Sequence, residues 1–145
     1  MPLRAAALCL AVATGAAQAA AAQIDLPEAL STEGQDLTAE EWRALTDGRT
    51  VWYSIGENLW GRESYRGAPG EVTFQFPDGE CLSATWTYQA PWFCFDFGGA
   101  LGGAPHCFRH IRFGDQLWAL ARSGEPQRID RIDGSPISCG PDLSS

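Results

Sequence analysis

The sequence predicts a mainly β domain, in which one short N-terminal helix precedes a seven- or eight-stranded antiparallel meander. The meander would close as a small barrel or fold as a two-layer sandwich. Three observations predict this class. From about residue 50 onward, apolar and polar side chains alternate. Turn signals recur about every eight to twelve residues along the same stretch. An even number of cysteines follows the N-terminal segment and predicts two disulfide bonds.

The first segment, residues 1–19, has the pattern of a secretory signal peptide. Arg4 supplies the positive start, an apolar stretch follows, and Ala17-Gln18-Ala19 forms a small-x-small cleavage site, with an alternative cut after Ala22. The apolar stretch is shorter than the roughly 18 to 20 residues that a membrane-spanning helix needs. We therefore expect a periplasmic or secreted protein without a membrane span.

The next segment, residues 20–36, is acidic, contains proline and glycine, and has no periodicity. This composition predicts a flexible leader. Residues 37–145 are then expected to form a single β-rich domain.

A helix is predicted at the start of this domain. Thr38 is a good N-cap, Glu41 completes a capping box, and Gly48 provides a stop. The helix would cover Ala39–Asp47. Trp42 lies on its apolar face, which is expected to plug or flank the β structure.

The strands are predicted by alternation and by the turns between them. They are Thr50–Ile55, Trp60–Arg66, Glu71–Phe76, Cys81–Tyr88, Trp92–Phe97, His106–Phe113, Gln116–Ala121 and, more weakly, Gln127–Ile132. Short connections predict a meander. A four-residue Gln89–Trp92 turn would place Tyr88 opposite Phe93 and Trp86 opposite Phe95, so that one aromatic face continues across two strands.

The cysteines are predicted to pair rather than to bind metal, because an oxidising compartment favours disulfides. His106 and His110 flank Cys107 and suggest a ligand cluster. On a strand, however, positions four apart are about 13 Å from each other at ~3.3 Å per residue, too far for ligands that share one ion. No metal site is therefore expected.

The disulfide pairing follows from the register across a glycine-rich loop. If Trp92–Phe97 pairs with residues 104–109, Cys94 lies opposite Cys107, and Phe93 lies opposite Phe108. The same register puts Trp92 opposite Arg109 and predicts a cation–π stack between them. We expect Cys94–Cys107 and, by elimination, Cys81–Cys139.

Composition excludes several kinds of chemistry. All 10 basic side chains are arginines, so no Schiff-base lysine and no phosphate-loop lysine exists. A net charge of −8 argues against nucleic acid as a partner. No cofactor is indicated.

Several short motifs carry a resemblance to a group of other proteins. They are Leu37-Thr38-Ala39-Glu40-Glu41, Asp47-Gly48-Arg49-Thr50-Val51, a Trp86-bearing strand, Phe93-Cys94-Phe95 and His106-Cys107-Phe108. With them the chain resembles small exported proteobacterial β-rich proteins of unknown function, over roughly residues 37–109. Phe93 stands where those proteins usually have leucine, and Phe108 where they usually have tryptophan. The resemblance implies structure and no activity.

The candidate ligand-facing residues are mostly aromatic. They are Trp86, Tyr88, Phe93, Phe95, Phe108, His106, Asp96, Trp92 and Arg109. The inward aromatics could line a pocket for an apolar or ring-shaped ligand, although a packed core is the simpler expectation.

Catalysis has only partial support. Asp96 with His106 or His110 would begin a hydrolytic site, but nothing supplies a nucleophile, so no catalytic residue is assigned. The leading hypothesis is a non-enzymatic exported domain that binds an envelope protein or a small apolar ligand. The alternatives are a small hydrolase, or an inhibitor of an envelope-attacking enzyme that inserts the loop Gly98–Pro105.

Overall fold

The computed structural model describes residues 25–140, which form two helices and nine strands. The helices are α1, Leu26–Glu33, and α2, Ala39–Thr46. The strands are β1 Gln35–Asp36, β2 Thr50–Ile55, β3 Asn58–Ser64, β4 Glu71–Gln75, β5 Cys81–Gln89, β6 Trp92–Asp96, β7 His106–Phe113, β8 Gln116–Ala121 and β9 Gln127–Asp133. The predicted signal peptide and the start of the predicted leader lie outside the described residues. Neither helix in residues 25–140 is long and apolar enough to cross a membrane.

Eight of these strands form a closed antiparallel barrel. Each strand from β2 to β9 pairs with the next, and β9 pairs back with β2. Because the strands close into a ring, the architecture is the predicted barrel and not the two-layer sandwich. The β2–β3, β4–β5, β6–β7 and β8–β9 hairpins lie at one end, which we call the mouth. The opposite end, which we call the closed end, carries the other three hairpins and α2.

The strand predictions are confirmed to within a few residues. β2, β7 and β8 have the predicted bounds, whereas β3 begins two residues early, at Asn58. The reason is the tight turn before it, in which Gly56 adopts a φ of 59° that favours glycine. The predicted pairs Trp86–Phe95, Tyr88–Phe93 and Phe93–Phe108 are all present.

Both predicted disulfides are present. Cys94 and Cys107 face each other across β6 and β7 with a Cα–Cα distance of 4.0 Å. Their neighbours Phe93 and Phe95 are buried inside the barrel, so alternation places this bond on the outer face. Cys81–Cys139 joins the start of β5 to the segment after β9, across 58 residues of sequence.

Helix α2 closes one end of the barrel as predicted. The Thr38 side chain accepts a hydrogen bond from the Glu41 amide, and Glu41 accepts one from the Thr38 amide, which completes the capping box. The helix ends at Thr46, one residue before the predicted end, because the chain at Asp47 is no longer helical. Trp42 is fully buried against the interior of the barrel.

The expectation of a flexible leader is wrong for residues 26–36. They form α1 and β1, and β1 pairs with the outer side of β7. Leu30 is fully buried against Ile111 and Leu120, which point outward from the barrel. Arg109 holds the segment by a two-point ion pair with Asp36, with N–O distances of 2.7 and 2.9 Å. The segment is held mainly by the buried side chain of Leu30 and by the Asp36–Arg109 ion pair. So few contacts in so short a segment produce no periodic pattern in its sequence.

Candidate functional site

A cavity opens at the mouth of the barrel. Its volume is about 590 Å³, and strands from most of the ring contribute to its wall. Aromatic rings dominate this wall: Tyr53, Trp60, Phe74, Phe76, Phe95, Phe97 and Phe108. Among residues 25–140, other depressions, with volumes of about 540, 510 and 390 Å³, lie on the outer surface and at the loops. The mouth cavity is the one enclosed by the barrel wall, as in barrels that hold a small ligand.

The floor of the cavity is polar. Glu63 is only 4% exposed, and its Oε1 accepts hydrogen bonds from Tyr53 Oη at 3.2 Å and from Tyr65 Oη at 2.5 Å. Tyr65 Oη in turn accepts a hydrogen bond from Trp42 Nε1 at 3.1 Å. Trp42 belongs to α2, so this chain of hydrogen bonds runs from the closing helix to the floor.

Burial changes the titration of this floor. It raises the pKa of the Glu63 carboxyl to about 7, although the hydrogen bonds from Tyr65 and Tyr53 lower that pKa in part. Burial and the neighbouring Glu63 raise the pKa of both tyrosine hydroxyls well above the usual value. The hydroxyls therefore remain donors at neutral pH, while Glu63 exists in both protonation states.

The half of the barrel behind this floor is filled. The ring of Trp42 stacks on His110 with a centroid distance of 3.8 Å, and Phe93 packs against both at 6.0 and 4.5 Å. His110 is 1% exposed, and burial lowers its pKa to about 3. Its Nδ1 has no hydrogen-bond partner among the described residues. Ligand space is thus confined to the mouth side of Glu63.

The rim of the cavity is formed in part by the loop between β6 and β7. Leu101 lines the mouth and is 41% exposed. His106 Nε2 lies 3.1 Å from the carbonyl oxygen of Leu101 and ties the loop to β7. Gly98, Gly99, Gly102 and Gly103 all have positive φ. The glycine-rich composition is therefore explained by the backbone path of this rim.

Two local features of β3 shape the wall. Tyr53 pairs with Gly61, but Ser54 pairs with Leu59, so Trp60 is an extra residue without a partner on β2. Such a bulge breaks the alternation of faces, and Trp60 lines the mouth at 43% exposure. At Gly61 a Cβ atom would overlap the ring of Phe74. Glycine there lets that ring lie against the strand.

The structure brings only part of the predicted aromatic set to the cavity. Phe95, Phe108 and His106 line it. Trp86 and Phe93 belong to the packed core, and Tyr88 packs against Phe93 with a centroid distance of 4.6 Å. The period of two sorts residues into inner and outer faces, but it does not tell which end of the barrel they occupy.

The predicted stack of Trp92 on Arg109 is wrong. The guanidinium group of Arg122 lies over the Trp92 ring, 4.5 Å from its centroid, while Arg109 binds Asp36. Arg109 points to the outer face, where the Asp36 carboxylate is a stronger partner than an aromatic ring.

Asp96 and the histidines are separated by the barrel wall. His106 pairs with Phe95 and lines the cavity, whereas Asp96, the next residue, points outward and accepts a hydrogen bond from the Gly98 amide at 2.9 Å. His110 is enclosed between Trp42 and Phe93. The expected juxtaposition of Asp96 with an imidazole is therefore not formed. The sulfur of Cys107 is in a disulfide, which removes it as a metal ligand.

Sequence reasoning missed Glu63 and Tyr53, the two residues of the hydrogen-bonded floor that line the cavity. The available signal was an acidic residue at an inward position, because Gly61 and Glu63 share one face of β3. A buried acid inside an aromatic barrel is rare without a partner and marks a candidate site.

The fold and cavity define the class as a small, closed eight-stranded antiparallel barrel with one plugged end. No protein-family model, curated protein or solved structure was found to match the chain.

Proposed function

We propose that this protein is an exported, non-enzymatic binding protein that holds a small apolar, ring-containing molecule in the mouth cavity. The observation that carries the proposal is the cavity of about 590 Å³ with its aromatic wall. Its volume falls within the range of about 300 to 1,000 Å³ that is typical of ligand pockets. A packed core would have left no such space inside the ring.

Export is supported by two independent features. The first 19 residues have the pattern of a secretory signal peptide. The two disulfide bonds suit an oxidising compartment such as the periplasm or the extracellular space.

The ligand-binding hypothesis has more support than the two alternatives, a hydrolase and an inhibitor. A hydrolase would need Asp96 beside an imidazole, and the two lie on opposite sides of the wall. An inhibitor would present the Gly98–Pro105 loop to a partner, whereas Leu101 of this loop contributes to the lining of the cavity. This position suits a role of the loop in controlling ligand entry at the rim of the cavity.

The experiment uses N-phenyl-1-naphthylamine, an uncharged dye that fluoresces in apolar surroundings. We expect the oxidised protein to bind it with a saturable rise in emission. Ala121→Phe fills the cavity from β8 and is expected to weaken binding at least tenfold, since Ala121 lines the wall. Thr85→Phe adds the same ring on the outer face, where Thr85 is exposed, and is the matched control. Equal binding by the two variants, or no binding by the wild type, would contradict the proposal.

A further inference from the structure

The mouth cavity contains acidic side chains but no arginine. Its lining includes Glu63 at the floor, Glu125 at the rim and His106, and none of its described residues is an arginine. The chain has no lysine at all. A carboxylate ligand would lose its hydration here without gaining a fixed cation. The lining therefore disfavours fatty acids and other anions.

Glu63 keeps one oxygen free for a ligand. Both tyrosine hydrogen bonds are accepted by Oε1. No described residue donates a hydrogen bond to Oε2, and this oxygen is not among the polar atoms that the fold seals off without a partner. Since Glu63 lines the cavity, Oε2 is available to a donor that enters from the mouth.

The aromatic wall adds a second attraction for positive charge. The faces of aromatic rings carry negative electrostatic potential and attract ammonium groups within about 6 Å. The arginines that stack on aromatic rings in the described residues do so on Trp52, Trp86 and Trp92, and none of these three residues lines the mouth cavity. The rings of the mouth are therefore free to face a cationic ligand.

We propose that the mouth cavity selects a primary amine carried on an apolar or aromatic body. The ammonium group would donate to Glu63 Oε2, and the body would lie against Phe74, Phe95 and Phe108. The chain's net charge of −8 would favour the approach of such a cation. This inference rests on the proposed function and names the chemical class of its ligand.

The test compares three probes that share one ring system: 1-naphthylmethylamine, 1-naphthalenemethanol and 1-naphthoate. Their dissociation constants are measured by calorimetry at pH 8 on the oxidised protein. We expect the amine to bind about tenfold more tightly than the alcohol, and the carboxylate to bind weakest. Glu63→Gln keeps a hydrogen-bond acceptor for both tyrosines and should abolish the preference for the amine over the alcohol.

The matched control is Glu71→Gln, which removes an equal charge from an exposed position at the start of β4. It should retain the preference for the amine. If the alcohol binds as tightly as the amine, or if Glu63→Gln retains the preference, the amine inference fails and the proposed function stands. If none of the three probes binds, both fail.

A second measurement uses the wild type alone and so does not depend on folding of the variant. The amine requires an ionised Glu63, and burial raises the pKa of that group to about 7. The preference for the amine should therefore decrease as the pH falls from 8 to 5.5. The titratable groups that face the site are the Tyr53 and Tyr65 hydroxyls, His106 and Glu125. His106→Gln should keep the same pH dependence; a preference that does not change with pH would overturn the inference.

Discussion

The Tyr53 hydroxyl donates a hydrogen bond to Glu63 Oε1 over 3.2 Å, where the filled half of the barrel meets its cavity. Both side chains are buried, and both also line the cavity. The Tyr65 hydroxyl and the Trp42 indole extend this contact to α2. The floor of the site is therefore held by the same hydrogen bonds that help close the barrel, which fixes its geometry before a ligand arrives.

Glu63→Gln should change how stability depends on pH. The unfolded carboxyl ionises near its ordinary pKa, whereas burial raises the folded pKa to about 7. The folded state thus binds more protons between these values, and the wild type loses stability as the pH rises through them. From pH 4.5 to pH 8 we expect the wild type to lose about 3 kcal/mol relative to the variant. Urea unfolding at both pH values measures this; a constant difference would contradict it.

His110→Phe should change the pH dependence of stability in the opposite direction. Burial lowers the pKa of His110 to about 3, so the folded state binds fewer protons than the unfolded state below pH 6.5. The stability from this group is present above pH 6.5 and is lost as the pH falls toward 3. We expect the wild type to lose about 3 kcal/mol relative to the variant between pH 7 and pH 4. Phenylalanine preserves a ring against Trp42, so a parallel loss in both proteins would argue against the buried neutral imidazole.

The wall of the barrel could be predicted from the sequence because its signals are local. Gly56, Gly79 and Gly114 mark hairpin turns and have positive φ. The pairing of Cys94 with Cys107 then fixes the register of β6 and β7. Local signals do not distinguish a barrel from a sandwich, since the pairing of β9 with β2 that closes the barrel joins strands far apart in the sequence.

The site was less predictable because it depends on depth along the barrel axis. Phe93 and Phe95 have the same inward pattern, yet Phe93 lies in the filled core and Phe95 lines the cavity. The position of α2 determines which phenylalanine is in the filled core, because Trp42 of this helix occupies the interior next to Phe93. The bulge at Trp60 is also invisible to alternation. Both features depend on tertiary structure and cannot be predicted from a short stretch of sequence.

Arg109→Lys should release α1 without unfolding the barrel. Lysine retains the charge but not the two-point geometry with Asp36. We expect the free energy of local opening to fall by about 1 to 2 kcal/mol, which corresponds to roughly 5- to 30-fold faster amide exchange in α1. Hydrogen exchange followed by mass spectrometry measures this. Arg131→Lys alters the more exposed pair with Asp133 and should leave α1 exchange unchanged; similar effects from both variants would refute the assignment.

Leu101→Ala should weaken ligand binding without loss of stability. Leu101 is 41% exposed at the cavity rim, whereas Leu59 is 43% exposed and does not line the cavity. Loss of apolar contact worth about 1 kcal/mol predicts roughly fivefold weaker binding of N-phenyl-1-naphthylamine. Leu59→Ala should bind like the wild type. Equal weakening in the two variants would mean that the dye binds elsewhere.

The most direct measurement of the central claim is chemical-shift mapping of the ¹⁵N-labelled protein with 1-naphthalenemethanol, which carries no charge. The account predicts saturable shifts at the cavity strands, including the amides of Phe95, Phe108 and Ala119. It predicts little change at Trp52 or Thr85, which do not line the cavity. Shifts confined to such positions, or no saturable shift at all, would contradict the claim that the mouth cavity is a ligand site.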